Sequence, residues 1–393
     1  MGISKSIRES MKNSSWIRAM FEEGERLKRI YGEDAICDFS IGNPEMEPPE
    51  ALKQELRRII ELDIKGLHRY MPNNGFEDVR ETIAEYHREW SGLPFTAYHI
   101  IMTVGAAGAM NVALKALLDP RDEVIVPCPF FVEFMFYIQN HGGKMKLVDT
   151  KEDFHLDLEK IDEQITERTK VIILNSPNNP TGAVYTKEEL QGLAEILYER
   201  RKKGKRIFIL SDEAYRKILY DGIEFPCLFR IYEDSIVVTS HSKDLALPGE
   251  RIGYIAVSPL IEDAKDLIDA MVFSNRILGF INAPALMQRL VKDFQKNSID
   301  VAEYQRKRDA IYGILKDTGF EVMKPEGTFY IFPRSPIEDD VAFVRLLQRH
   351  HILSVPGIGF GKRGYIRLAF CVEMSTIERS YRYFKEAMES LKG

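Results

Sequence analysis

Cysteine is scarce in this chain, as are the features that would mark it for secretion, a membrane or nucleic acid. Its 393 residues hold four cysteines, Cys37, Cys128, Cys227 and Cys371, far apart and with no C-x-x-C pair. That spacing speaks against a disulfide framework and against thiolate metal sites, and it fits a reducing compartment. No apolar run approaches the ~18 residues of a membrane span, and the N-terminus has no signal-peptide core. The formal net charge is −6, so the basic footprint of a nucleic-acid binder is missing. The one dense basic run, 199–206, reads as the solvated end of a helix. Internal repeats and low-complexity tracts are absent. His350 and His351 have no carboxylate or cysteine at ligand spacing, so they read as exposed helix residues and no metal is expected. The glycine-rich stretch 356–361 lacks the G-x-G-x-x-G spacing of a dinucleotide loop. The expectation is a soluble, cytoplasmic protein that binds neither membrane nor nucleic acid.

What is present is the pattern of a large globular chain, 45% hydrophobic and 29% charged. The first ~30 residues read as a polar helix, with Trp16, Ile17, Met20 and Phe21 as a docking stripe. From about residue 100, short apolar runs alternate with helical patterns. The runs are 100–104, 123–126, 171–174, 207–210, 236–238 and 255–257, and the first helix covers 109–118. Continuous apolar runs of this length suit strands buried on both faces of a mostly parallel sheet. After about residue 285 the pattern becomes helix-rich, with a long helix around 304–315 and short strands near 327–332 and 365–370. The expected fold is therefore α/β. A large domain, residues 46–284, holds the sheet between helices; a smaller α+β domain is formed by residues 1–45 and 285–393.

Polar residues stand where these runs end. Asn175 follows 171–174, Asp212 follows 207–210, and Ser240 and Lys243 follow 236–238. Ligands of open α/β sheets bind beyond the carboxyl ends of the strands, so these residues are expected to share one crevice. Lys243 lies among small hydroxyl residues, with Arg251 eight positions later beyond a Pro-Gly turn. An amine that attacks a carbonyl needs a free lone pair, and burial near a second cation lowers its pKa from about 10.4. Serines and an arginine beside it suit a phosphate dianion. A phosphorylated aldehyde would use both halves of the motif, and pyridoxal 5′-phosphate is such a molecule.

Each neighbouring segment has a plain reading beside a functional one. The turn 175–182 is either a loop or a platform from which Asn179 offers an amide to a ring oxygen. Asp212 is either a helix N-cap or the partner of a protonated pyridine nitrogen, with Tyr215 in reach of the same ring oxygen. The small residues 104–109 allow close packing, or bring the backbone at Ala106 and Ala107 and a helix N-terminus onto a phosphate. Phe130 and Phe131 are either core or a stacking surface. Arg367, inside an apolar strand, is either an edge residue or a fork for a carboxylate.

In order along the chain, Ile41-Gly42-Asn43-Pro44, Asn-Pro-Thr-Gly at 179–182, Asp-x-x-Tyr at 212–215, Ser-x-Ser-Lys at 240–243 and Tyr-Ile-Arg at 365–367 resemble the class I/II aminotransferases of the fold-type-I pyridoxal-phosphate enzymes. The resemblance implies that Lys243 binds the cofactor's aldehyde carbon and that Asp212 pairs with its ring nitrogen. It implies that Asn179 and Tyr215 hold the ring oxygen and that Phe131 stacks on the ring. The phosphate falls to Ala106, Ala107, Ser240, Ser242 and Arg251, and Tyr70 matches a tyrosine lent to the neighbouring subunit of a homodimer. Arg367, with Asn179 and the backbone of Gly42, would bind the substrate carboxylate. The sequence is most similar to bacterial aspartate aminotransferases, which implies ping-pong transfer from aspartate to 2-oxoglutarate. Some relatives set a lysine in the phosphate turn for a distal carboxylate; Ala107 stands there here, leaving Arg276, Arg69 or His68 for that task. Alanine or aromatic donors, or a lyase or synthase on the same scaffold, are the alternatives.

Overall fold

The computed structural model describes residues 2–392, apart from the side chains of residues 6 and 12–21. The stripe Trp16, Ile17, Met20 and Phe21 lies outside the described residues. In chain order the strands are β1 (Cys37–Asp38), β2 (Ile100–Thr103), β3 (Glu123–Cys128), β4 (Lys144–Asp149), β5 (Thr169–Asn175), β6 (Phe208–Asp212), β7 (Ser235–Ser240), β8 (Gly253–Val257), β9 (Tyr330–Ile331), β10 (Ile352–Leu353), β11 (Val355–Pro356) and β12 (Ile366–Ala369).

A seven-stranded sheet runs in the order β2-β8-β7-β6-β5-β3-β4. Strand β8 is antiparallel to both neighbours, and the other pairings are parallel. The apolar runs are continuous because each strand face has its own core. Val171, Ile173, Phe208, Leu210, Ile236 and Val238 bury in one cluster with Ala109, Met110 and Ala113 of the helix Gly105–Leu117. Ile172, Leu174, Ile207 and Ile209 bury in another, against Leu190, Leu193 and Leu197 of the helix Lys187–Lys202. Polar residues can then enter only at strand ends. Edge strand β4 is exposed or half-buried at all but one position and carries two lysines, a usual guard against edge pairing, and no apolar run announces it.

The rest of the chain builds smaller sheets. Strands β11-β12-β9 form one and the parallel pair β1-β10 another. They share a core with the helices Val301–Asp317, Asp340–Arg349 and Met374–Glu389. Tyr215, Ile218 and Tyr220, which follow β6, pack into that same core. His350 and His351 differ from expectation. They are half-buried and close the helix Asp340–Arg349, the ring of His351 lying 4.8 Å edge-on to Tyr31.

Strand β8 begins at Gly253, which pairs with Thr103 on one side and Ser240 on the other. A Cβ there would lie 2.4 Å from the Thr239 carbonyl oxygen and 3.0 Å from the Gly105 carbonyl carbon. Both obstacles are backbone. Gly253→Ala is therefore expected to cost about 2–3 kcal/mol, read as a drop in urea or thermal midpoint; an unchanged midpoint would show that the strand ends yield.

Candidate active site

The carboxyl ends of β5, β6 and β7 bring Asn175, Asp212 and Ser240 to one rim, and the helix Gly105–Leu117 starts beside them. Between them lies a cavity of about 290 Å³ lined by Ala106, Ala107, Phe131, Asn179, Asp212, Tyr215, Ser240, Ser242, Lys243, Arg251 and Gly42. With Asn175, twelve of the residues singled out from sequence thus face one space. Arg367 stands just behind this lining, hydrogen-bonded to Asn179. Tyr70 does not join them within one chain: it is 85% exposed and, with His68 and Arg69, borders a separate depression near Asn282. Arg276 is exposed on the helix Ala264–Ile277, its guanidinium 5.0 Å from the Phe273 ring.

Lys243 sits on a four-residue helix, His241–Asp244, directly after β7. Its Nζ donates to the Gly42 carbonyl at 2.9 Å. Burial pulls its pKa down to about 8, and the charges of Arg367 and Arg251 push the same way. A sizeable neutral fraction of this amine is then present at mild pH. Asp212 is buried, which pushes its carboxyl up to about 6. The Ala214 N–H, at 3.2 Å, offsets part of that cost. No basic side chain among the described residues does so, and the carboxylate faces the cavity as an anion without a counter-ion.

The turn after β5 is held by its own asparagines. Asn175 Oδ1 accepts from the Asn179 N–H at 2.8 Å, and Asn178 Oδ1 accepts from the Thr181 N–H and hydroxyl at 3.1 and 2.8 Å. Asn179 is thereby aimed so that its Oδ1 accepts from Arg367 Nη1 at 3.2 Å. Arg367 Nη2 donates to the Ser40 carbonyl at 2.8 Å, and the guanidinium lies 4.5 Å from the Tyr330 ring and 4.7 Å from that of Phe360. Its Nε is buried with no acceptor. A guanidinium buried without a carboxylate is costly and retains donor capacity for an anion.

Residues 38–46 run across the site as a strap. Its ends are held by ion pairs, Lys28 with Asp38 at 2.7 Å and Lys307 with Glu45. Its middle gives Ser40 and Gly42 carbonyls to Arg367 and Lys243. Residue 42 has to be glycine because a Cβ there would overlap the Tyr330 hydroxyl at 1.8 Å. That hydroxyl accepts a hydrogen bond from Tyr215 at 3.3 Å. At the opposite end, the first N–H groups of the helix Gly105–Leu117 meet the buried hydroxyl residues Ser240 and Ser242 and the exposed Arg251. Free N–H groups, hydroxyls and a guanidinium make an anion site.

Tyr330, Tyr137, Phe134 and Met110 also line the cavity, and none was singled out from sequence. Tyr330 lies in the aromatic run 329–332, which reads as core, and Tyr137 and Phe134 sit on an apolar helix, Glu133–Asn140. The cavity thus has anion donors at one end, the buried Asp212 carboxylate without a counter-ion in its wall, and the Lys243 amine, with the buried Arg367 guanidinium just behind the lining.

Residues 34–383 match the family described as aminotransferase class I and II. A probable aspartate aminotransferase of Methanocaldococcus jannaschii is 36% identical, over 90% of this chain and 93% of its own. An aromatic-amino-acid aminotransferase of Thermococcus litoralis is 30% identical, over 98% and 99% of the two chains. The crystal structure of an aminotransferase from Eubacterium rectale superposes with a TM-score of 0.96 at 34% identity, covering 100% of both chains.

Proposed function

Because this chain belongs to the class I and II aminotransferases, we propose that its cavity holds pyridoxal 5′-phosphate and that it moves the amino group of an L-amino acid, aspartate first, to a 2-oxo acid such as 2-oxoglutarate in a ping-pong cycle. The observation that carries this is the pairing of a buried amine of lowered pKa, Lys243, with a buried carboxylate that has no counter-ion, Asp212. The residues present fit the cofactor. Asp212 lacks the cation that a protonated pyridine would bring, and the helix N-terminus with Ser240, Ser242 and Arg251 lacks an anion. Phe131 and Tyr215 face the space a ring would take, and Asn179 lies beside them.

Bound there, pyridoxal phosphate supplies an electron sink for negative charge at the substrate Cα. Lys243 would take the Cα proton and deliver it to the carbon on the other side of the substrate nitrogen, the cofactor's former aldehyde carbon. Asp212 keeps the ring nitrogen protonated. Arg367, with Asn179, fixes the α-carboxylate and so orients the Cα–H bond. Tyr70 belongs, on this reading, to the site of a second subunit in a homodimer.

The cations lining the cavity are Lys243 and Arg251, and both already have tasks. Ala107, Met110 and Phe134 offer nothing to a distal carboxylate and Tyr137 only a neutral hydroxyl, an observation that favours aromatic amino acids or alanine as the second reading. Mixing the yellow protein with single amino acids separates the two. Bleaching of its visible band by aspartate and glutamate, and its restoration by 2-oxo acids, supports the first; bleaching by phenylalanine or alanine alone supports the second. Bleaching by no amino acid overturns both.

A pH dependence follows from the lowered pKa of Lys243. The neutral, nucleophilic amine prevails above about 8, not above the ~10.4 of an unburied lysine. Capture of pyridoxal phosphate by the cofactor-free chain, followed by stopped-flow absorbance, is expected to speed up as pH rises through about 8 and then level off. A rate still climbing at pH 10 would contradict it.

A further inference from the structure

The helix that carries Lys243 has four residues, His241–Asp244. One turn has no ladder of hydrogen bonds to hold itself, because helix nucleation is unfavourable until several turns follow. Its direction must come from contacts outside it: the His241 N–H donates to the Ile252 carbonyl at 3.1 Å, and its side chains grip the scaffold. Ser242 and Lys243 face the cavity. His241 and Asp244, three positions apart on the other side, are buried in the scaffold. Asp244 Oδ2 accepts from Lys217 Nζ at 2.8 Å, and that ammonium also donates to the Asn297 carbonyl at 3.0 Å. His241 Nδ1 lies 3.4 Å from Asp244 Oδ1. The Asp244 carbonyl accepts from the Ile299 N–H at 2.7 Å.

Lys217 is the far end of the segment that begins at Asp212 and contains Tyr215. One part-buried ion pair therefore joins the turn bearing the amine to the segment bearing the carboxylate and the phenol, and pins both to residues 297–299. We propose that the Lys217–Asp244 pair is a positioning device that sets the aim of Lys243 relative to Asp212 and Tyr215. Neither residue touches the cavity. The proposal rests on the function given above for Lys243.

Removing one partner leaves a buried charge, which destabilises any protein, so single truncations say little about aim. The double variant Lys217→Met/Asp244→Asn removes both charges together. It is expected to melt near the parent and to take up pyridoxal phosphate, with KM for the amino acid within about threefold. Its kcat, and the rate at which its cofactor-free form captures pyridoxal phosphate, should both fall roughly 10- to 100-fold, the range for a misaimed group. Wild-type kcat and capture rate in a double variant that melts and loads normally would overturn the proposal. Should the double variant fail to fold, Asp244→Glu keeps the charge and moves the helix by one methylene. It should likewise lose kcat with KM held; unchanged kcat there would refute the positioning role. If the parent chain itself forms no visible band with pyridoxal phosphate, it is the proposed function that fails, and this test reads that separately.

Discussion

Lys243→Ala is expected to lower kcat by on the order of 10^4-fold, the upper range for loss of a positioned base, while pyridoxal phosphate still binds. The anion cradle of Ser240, Ser242, Arg251 and the helix start is untouched by this change, and so is Asp212. The cofactor should then be retained by contacts alone and be lost on gel filtration under conditions where the parent keeps it. Single-turnover absorbance with an added amino acid gives the proton-transfer rate directly. A small amine such as methylamine, supplied in the medium, should restore part of that rate because the space left by the side chain opens on the cavity. Turnover close to the parent's would remove Lys243 from the chemistry.

Asp212→Asn should cut kcat roughly 10²- to 10³-fold, the usual effect of deleting one preorganised charge contact at a reacting centre. Its effect on stability runs the other way. The folded-state pKa of Asp212 is raised to about 6 by burial, so the folded chain holds this proton more tightly than the unfolded chain does. The group is neutral and harmless below the unfolded pKa of about 4, and its penalty grows as pH rises through about 6. Above that the full difference applies, about 3 kcal/mol for two units. The cofactor-free Asn variant should therefore melt higher than the cofactor-free parent at pH 8, with the gap closing by pH 4. A parent that melts at least as high as the variant at pH 8 would mean that some cation already meets Asp212.

The two halves of this prediction explain how much of the molecule could be read from residues alone. Strands β5, β6 and β7 were legible because both their faces are buried, which leaves each an apolar middle with polar residues only towards the ends. Asn175, Asp212 and Ser240 are conspicuous for that reason, and the cavity lies where they stop. Strand β4 was not legible, since an edge strand with Lys144 and Lys146 has no apolar run. Tyr330 hid for the opposite reason: among Phe329, Ile331 and Phe332 a tyrosine looks like core, and only the close approach of Gly42 shows its hydroxyl to be placed. Tyr70 is a different case. Its motif is clear in sequence, but a single chain leaves it in solvent, and only the proposed homodimer gives it a site to serve.

The strap has a further consequence for how acids are received. Ser40 and Gly42, two residues apart, offer carbonyls to the Arg367 guanidinium and the Lys243 amine. An incoming acid finds Arg367 Nε without an acceptor but Nη2 already bonded to the Ser40 carbonyl, and wherever it takes over an existing bond only the difference between the two contacts appears as affinity. Both contacts therefore load the same short stretch of main chain, so what happens at the guanidinium and at the amine is felt by one segment whose ends are tied down by Lys28 and Lys307.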